Sequence, residues 1–166
     1  MSGPCRKDGK RVKTSLCAFN VTRQSFINLG VTVADTTLAR LRGLLGKIRM
    51  RSDEALWVVP SHGIHTIGLL FPIDVLYLDA DLRVVSIVEH LGPLRIAPLK
   101  WRCASVLELP VRSVYDSGTQ VGDRLMICSP DELHRYWESE IPTPVQPPKE
   151  EAPPEGASPP QLRRAI

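Results

Sequence analysis

The chain has few cysteines, no long apolar run and little net charge, and each lack removes a class of protein. Its four cysteines, Cys5, Cys17, Cys103 and Cys128, form no CxxC or other close metal-ligand spacing. They are too sparse in 166 residues for a disulfide scaffold. They read instead as small buried hydrophobes, with Cys5 free on a flexible arm. No segment approaches the roughly 18 apolar residues that span a bilayer. The basic N-terminus is not followed by the apolar core of a secretory signal, because Leu16 to Phe19 is too short. The expectation is a soluble, cytoplasmic protein without a membrane span. Net charge is only +3: residues 1–13 carry +4, residues 14–136 carry +1 and residues 137–166 carry −2. The central part thus has no electrostatic footprint for nucleic acid. A nucleophile elbow, a phosphate loop, a dinucleotide fingerprint, an HExxH and internal repeats are all missing.

Proline is the residue present in excess. Fifteen are too many for one compact domain of this size, and nine of them lie between Pro130 and Pro160. The excess therefore belongs to a tail, and the chain divides accordingly. Residues 1–13 are a flexible basic arm, too polar to offset the cost of ordering. Residues 14–128 are a single globular β-rich domain. Residues 129–140 are a short C-terminal helix, opened by a capping Ser129, Pro130 at the first helical position and Glu132 three residues after the cap. Its Leu133, Tyr136 and Trp137 can pack one face onto the domain. Residues 141–166 are a disordered Pro-rich tail of extended character.

Within the domain, β-branched and apolar runs predict strands at 15–22, 25–34, 55–59, 74–79, 82–88, 104–109 and 124–128. Asp79-Ala80-Asp81 reads as the turn of a tight hairpin. One main helix is expected over about 35–46: Asp35 is its N-cap, Leu38, Leu41, Leu44 and Leu45 form its apolar stripe, and Gly46 is its stop. A second, short helix is expected near 111–118, closed by Gly118. The fold class is α+β: a small β-rich, barrel-like or strongly twisted sheet.

The chemistry concentrates between Trp57 and Val88. Three apolar strand-like runs surround a compact polar cluster of Ser61, His62, His65, Thr66 and Asp74, and polar groups so near a core must be satisfied or used. Pro72 resets the chain into the strand that carries Asp74. His62 and His65 with Asp74 could make a metal site of two histidines and one carboxylate. The plainer alternative is that His65 and Asp74 bond each other, or loop amides, and pin the loop. Ser61, His65 and Asp74 hold the letters of a hydrolase triad, but letters without geometry carry little.

These residues resemble a known family. Arg42-Gly43-Leu44-Leu45-Gly46, Ile64-His65-Thr66 followed by Phe71-Pro72-Ile73-Asp74-Val75, Leu78-Asp79 with Val84-Val85, Val106-Leu107-Glu108-Leu109-Pro110 and Val121-Gly122-Asp123-Arg124-Leu125 stand in the order of the uncharacterised bacterial and archaeal family called domain of unknown function 192, the UPF0127 group. The match spans roughly residues 25–128. The resemblance implies a small β-rich domain with one main helix and no established activity. Many members of that family look secreted or membrane-tethered. A cysteine often stands there where this chain has Ser61, and a methionine where it has Leu69, so the resemblance lends no thiol chemistry to position 61.

Three functions compete. The first is a non-enzymatic small-ligand or peptide binding module, with Ser61, His62, His65, Thr66 and Asp74 in the site and Trp101, Arg95 and Arg102 on its rim. On the plainer reading those three are an aromatic ring packed under two solvated cations. The second is a metal-dependent or hydrolytic enzyme using His65 and Asp74. The third is an adaptor acting through its termini. The expectation taken forward is the binding module: a monomer, with no cofactor, no metal and no catalytic residue assigned.

Overall fold

The computed structural model describes residues 16–34 and 48–140. The expected arm at 1–13, main helix at 35–46 and tail at 141–166 lie outside the described residues. Seven strands form one sheet: β1 Leu16–Asn20, β2 Ser25–Ala34, β3 Ala55–Val58, β4 Ile73–Leu78, β5 Val84–Leu91, β6 Ser105–Pro110 and β7 Leu125–Cys128. Two short helices accompany it, α1 Ser113–Ser117 and α2 Pro130–Glu140. The sheet order is β5-β4-β6-β3-β2-β1-β7. All pairs are antiparallel except β2 with β3. The sheet curls into a half-barrel, so its two edge strands meet at one end: the Val84 amide donates to the Asp123 carbonyl (2.9 Å) and the Leu125 amide to the Leu82 carbonyl (2.9 Å). The expected β-rich α+β class with a barrel-like sheet is what the structure has.

Side-chain alternation divides the core by face. The central registers align Leu56, Glu108 and Val75 in one row, and Val58, Val106 and Tyr77 in the next. These residues, with Ile73 and Ala34, face a first apolar cluster that Leu69, Phe71, Ala97 and Cys103 cover from the loops. The intervening Leu76, Leu78, Leu107 and Leu109 face a second cluster with Ala18, Val31 and Val114. β4 is buried along its whole length, the mark of a strand covered on both sides. A third cluster joins Cys17 and Phe19 to Leu133, with Tyr136 and Trp137 packed against it. That is how α2 docks. Its capping box forms as expected, with the Ser129 amide donating to Glu132 Oε2 (2.8 Å) and the Glu132 amide to Ser129 Oγ (3.3 Å).

The expected 79–81 hairpin turn is wider than its sequence suggested. Asp79 Oδ1 accepts the amides of Asp81 (2.9 Å) and Arg83 (2.8 Å), and Leu82 adopts φ 58°. The turn thus consumes residues through Arg83, and β5 begins at Val84 rather than at 82. The same strand runs on to Leu91, three residues past the expected end, because an irregularity rather than a break interrupts its pairing with β4.

Candidate functional site

That irregularity builds a recess among the described residues. Ile73 pairs with Leu91 and Val75 with Val88, so the single residue Asp74 opposes two residues, Glu89 and His90, in a β-bulge. Asp74 alternates with Ile73 and Val75 and so points away from the first cluster, toward α1. Its side chain is buried. Oδ1 accepts the His90 amide (2.9 Å) and Oδ2 the Val114 amide in α1 (3.3 Å). His90 (φ 54°) and Arg112 (φ 75°), the residue preceding α1, are both left-handed. Such backbone costs a non-glycine residue about 1–2 kcal/mol and collects where the surroundings over-determine it. One carboxylate therefore ties a strained bulge to a strained helix start. Asp74, Glu89, His90, Arg112 and Tyr115 line a recess of about 380 Å³. On its wall the Arg112 guanidinium lies 5.7 Å from the Tyr115 ring centre and 3.8 Å from Asp116 Oδ1.

The polar loop before β4 has a different job. Ser61 Oγ donates to the Gly63 carbonyl (2.7 Å), and His62 Nδ1 bonds the Cys103 carbonyl. Thr66 is fully buried: its hydroxyl donates to the Gly92 carbonyl (2.7 Å) and accepts the Arg95 amide (2.9 Å). The Ala97 amide reaches the Ile64 carbonyl (2.9 Å), the Lys100 amide the His62 carbonyl (2.8 Å), and His65 pairs with Ile96 through its backbone. These bonds staple the 61–72 loop to the 91–103 loop as one slab. Cys103 is a buried anchor of that slab; its thiol donates toward the Ser105 carbonyl (3.0 Å), and burial pushes its pKa up.

Of the five residues singled out in the sequence, Ser61, His62, His65 and Thr66 thus belong to the slab, whereas Asp74 belongs to the recess at the bulge. No hydrogen bond or ion pair joins His65 to Asp74, whose carboxylate takes main-chain amides instead. Among the described residues no three His, Cys, Asp or Glu side chains converge to hold a metal, so the set His62, His65 and Asp74 is not assembled. Trp101 does not pack under Arg95 and Arg102; it is 93% exposed. Lys100 and Cys103 turn the backbone around it through a Cys103 amide to Lys100 carbonyl bond (2.9 Å), which leaves the indole outside.

Sequence reasoning missed Glu89, His90, Arg112 and Tyr115, because none sits in a recognisable motif and only the bulge and the α1 start bring them together. It also read Glu108 merely as part of a strand. Glu108 faces the first apolar cluster, 7% exposed, with no hydrogen-bond or ion-pair partner among the described residues. Burial alone pushes its pKa up to about 8. The Tyr77 hydroxyl, a diagonal neighbour on the same face, is buried without a hydrogen-bond partner among the described residues. Burial, and then the nearby Cys103, raises its pKa. The visible signal was an acid at an inward-facing position between Leu107 and Leu109.

Two solved structures share this architecture. A protein from Sinorhizobium meliloti 1021, described as a candidate transcription regulator, is 23% identical, with a TM-score of 0.54 over 68% of this chain and 91% of its own. A protein of unknown function from Novosphingobium aromaticivorans DSM 12444 is 17% identical, with a TM-score of 0.58 over 75% of this chain and 93% of its own. At these identities the likeness concerns the fold alone. No curated protein matches the chain. The family model DUF192, described as Uncharacterized ACR, matches residues 19–127, which takes in all seven strands except the first three residues of β1 and the last of β7. With the order of motifs, the fold and this match in agreement, the chain belongs to the DUF192 family.

Proposed function

We propose that this domain is a binding module and that its seat is the recess at Asp74, which takes a small ligand or peptide end bearing a protonated amine. One observation carries this reading. A buried carboxylate, held by the His90 and Val114 amides, ties the left-handed His90 to the start of α1, which the left-handed Arg112 precedes, and His90 and Arg112 line the same recess. The recess volume lies in the range of small-molecule sites. Its charges favour a cation: Asp74 and Glu89 supply two carboxylates, while the Arg112 guanidinium is already occupied by Tyr115 and Asp116. In this reading Ser61, His62, His65 and Thr66 act as a buttress that holds the neighbouring loops, and Asp74 is the member of the predicted set that meets the ligand.

The test is an amide NMR titration of the full chain with short peptides whose N-termini are free or acetylated. Saturable shifts should appear for the free amine at Glu89, His90, Arg112 and Tyr115. Glu89→Gln, an exposed change, should weaken that binding about tenfold, the ratio that roughly 1.4 kcal/mol confers. Asp74→Asn should weaken it at least as much. Shifts that map to another surface, or that ignore acetylation, would overturn the reading.

A further inference from the structure

The stapled slab on the other side of the molecule carries an unusual surface. Its inward residues, Ile64, Leu69, Phe71, Ala97 and Cys103, pack on the first apolar cluster. Its outward residues are large and apolar as well: Ile67 (53% exposed), Leu70 (69%), Leu94 (71%), Ile96 (77%), Leu99 (68%) and Trp101 (93%). These are half of the exposed large hydrophobic side chains among the described residues, gathered on two loops. Scattered single apolar residues need no explanation, but a contiguous group marks an interaction surface. The loops hold these side chains outward on a hydrogen-bonded frame, through the Thr66 hydroxyl bonds and the 62–100 and 64–97 backbone pairs.

Charge selects the partner. Residues 61–73 and 91–105 contain Arg95, Lys100 and Arg102 and not one Asp or Glu, although acids elsewhere nearly balance bases across residues 14–136. Arg95, Lys100 and Arg102 alternate with Leu94, Ile96, Leu99 and Trp101. An exposed indole and aliphatic tips flanked by long cations, with acid excluded, match the boundary of an anionic bilayer. Tips enter the acyl edge there, the indole sits at headgroup level, and cations meet lipid phosphates. A protein groove would accept acids on this face; an anionic lipid surface does not. We infer that the slab formed by the 61–72 and 91–103 loops is a peripheral docking surface for anionic lipid membranes, separate from the recess at Asp74.

The probe is vesicle flotation of the full chain with phosphatidylcholine alone and with phosphatidylserine replacing part of it. Trp101 is the most exposed apolar side chain of the slab, so its indole should report insertion against the emission of Trp57 and Trp137. The chain should float with the anionic vesicles only, with a blue shift that Trp101→Phe removes. Combined Leu94→Ser, Ile96→Ser and Trp101→Ser should abolish flotation while the melting temperature stays put, since all three side chains are exposed. Each of Arg95→Gln and Arg102→Gln should weaken binding about fivefold. Three results would overturn the inference: no flotation, flotation that survives the triple serine variant because the basic arm carries it, or self-association through the same residues without any lipid dependence.

Discussion

Two buried carboxylates show how differently one sheet treats the same chemical group. Asp123 sits at the turn before β7. Its Oδ2 accepts Asn20 Nδ2 (2.9 Å), Arg23 Nε (2.6 Å) and the Gln120 amide (2.8 Å), and Asn20 also reaches Thr119 Oγ1 (3.1 Å). Burial pushes its carboxyl up, but the Asn20 side chain, the Gln120 amide and Arg23 together outweigh that and hold the pKa below the usual carboxylate range. Glu108 sits in mid-strand, paired on both sides by β3 and β4, and burial pushes it up to about 8. The difference is one of donor supply. A turn leaves backbone amides free to meet a side chain, whereas a central strand commits every amide to its ladder. An acid at a turn or beside a bulge of this fold, such as Asp123 or Asp74, can therefore be structural, whereas Glu108 in the middle of its strand stands uncompensated.

Three substitutions sharpen that contrast. The largest effect should come from Glu108→Gln. A pKa raised in the folded state to about 8 means that the unfolded chain loses its proton first as pH rises. Stability is therefore intact below the ordinary glutamate range, falls as pH climbs through it, and reaches its minimum above the folded value. Removing the titration should raise stability by about 3 kcal/mol at pH 7, and by nothing at pH 4. Urea melts at the two pH values read this directly, and an equal effect at both would mean that water reaches the carboxylate.

Asp123→Ala should act in the opposite sense. It strands the buried Asn20 amide and the Gln120 N–H, for a loss of about 2–3 kcal/mol at pH 7. Because the folded pKa is depressed, that contribution is present above the unfolded value and disappears as pH falls through the folded one. The variant and the parent should then converge in acid. The smallest effect belongs to the slab. Thr66→Val keeps the side-chain shape but removes the bonds to the Gly92 carbonyl and the Arg95 amide, and about 1–2 kcal/mol should be lost. Hydrogen exchange should quicken at Arg95 and Ala97 and leave the Asp123 corner unchanged. Exchange that spreads to that corner would show that the two regions open as one unit.

Much of the fold was legible because its signals are local. β-branched runs marked the strands, Ser129-Pro130 with Glu132 marked α2, and Asp79-Ala80-Asp81 marked the hairpin. Thr66 and Asp74 were also rightly noticed as polar groups that must be satisfied, and both are buried and bonded. Their grouping into one cluster was not legible. Only nine positions separate His65 from Asp74, but Phe71 and Pro72 lead the chain out of the loop slab and into β4 between them. Alternation within β4 then turns Asp74 toward α1.

By itself the sequence determined where strands and turns fall and which family the chain joins, since propensity, capping and turn chemistry act within a few residues. Tertiary structure alone decided that Asp74 faces Glu89 and His90 across a bulge, that Arg112 and Tyr115 close the same recess, and that Glu108 lies among apolar neighbours from β3 and β4. Those relations depend on the register between strands distant in sequence. Register is set by the fit of whole faces against a common core, and no short segment contains that information.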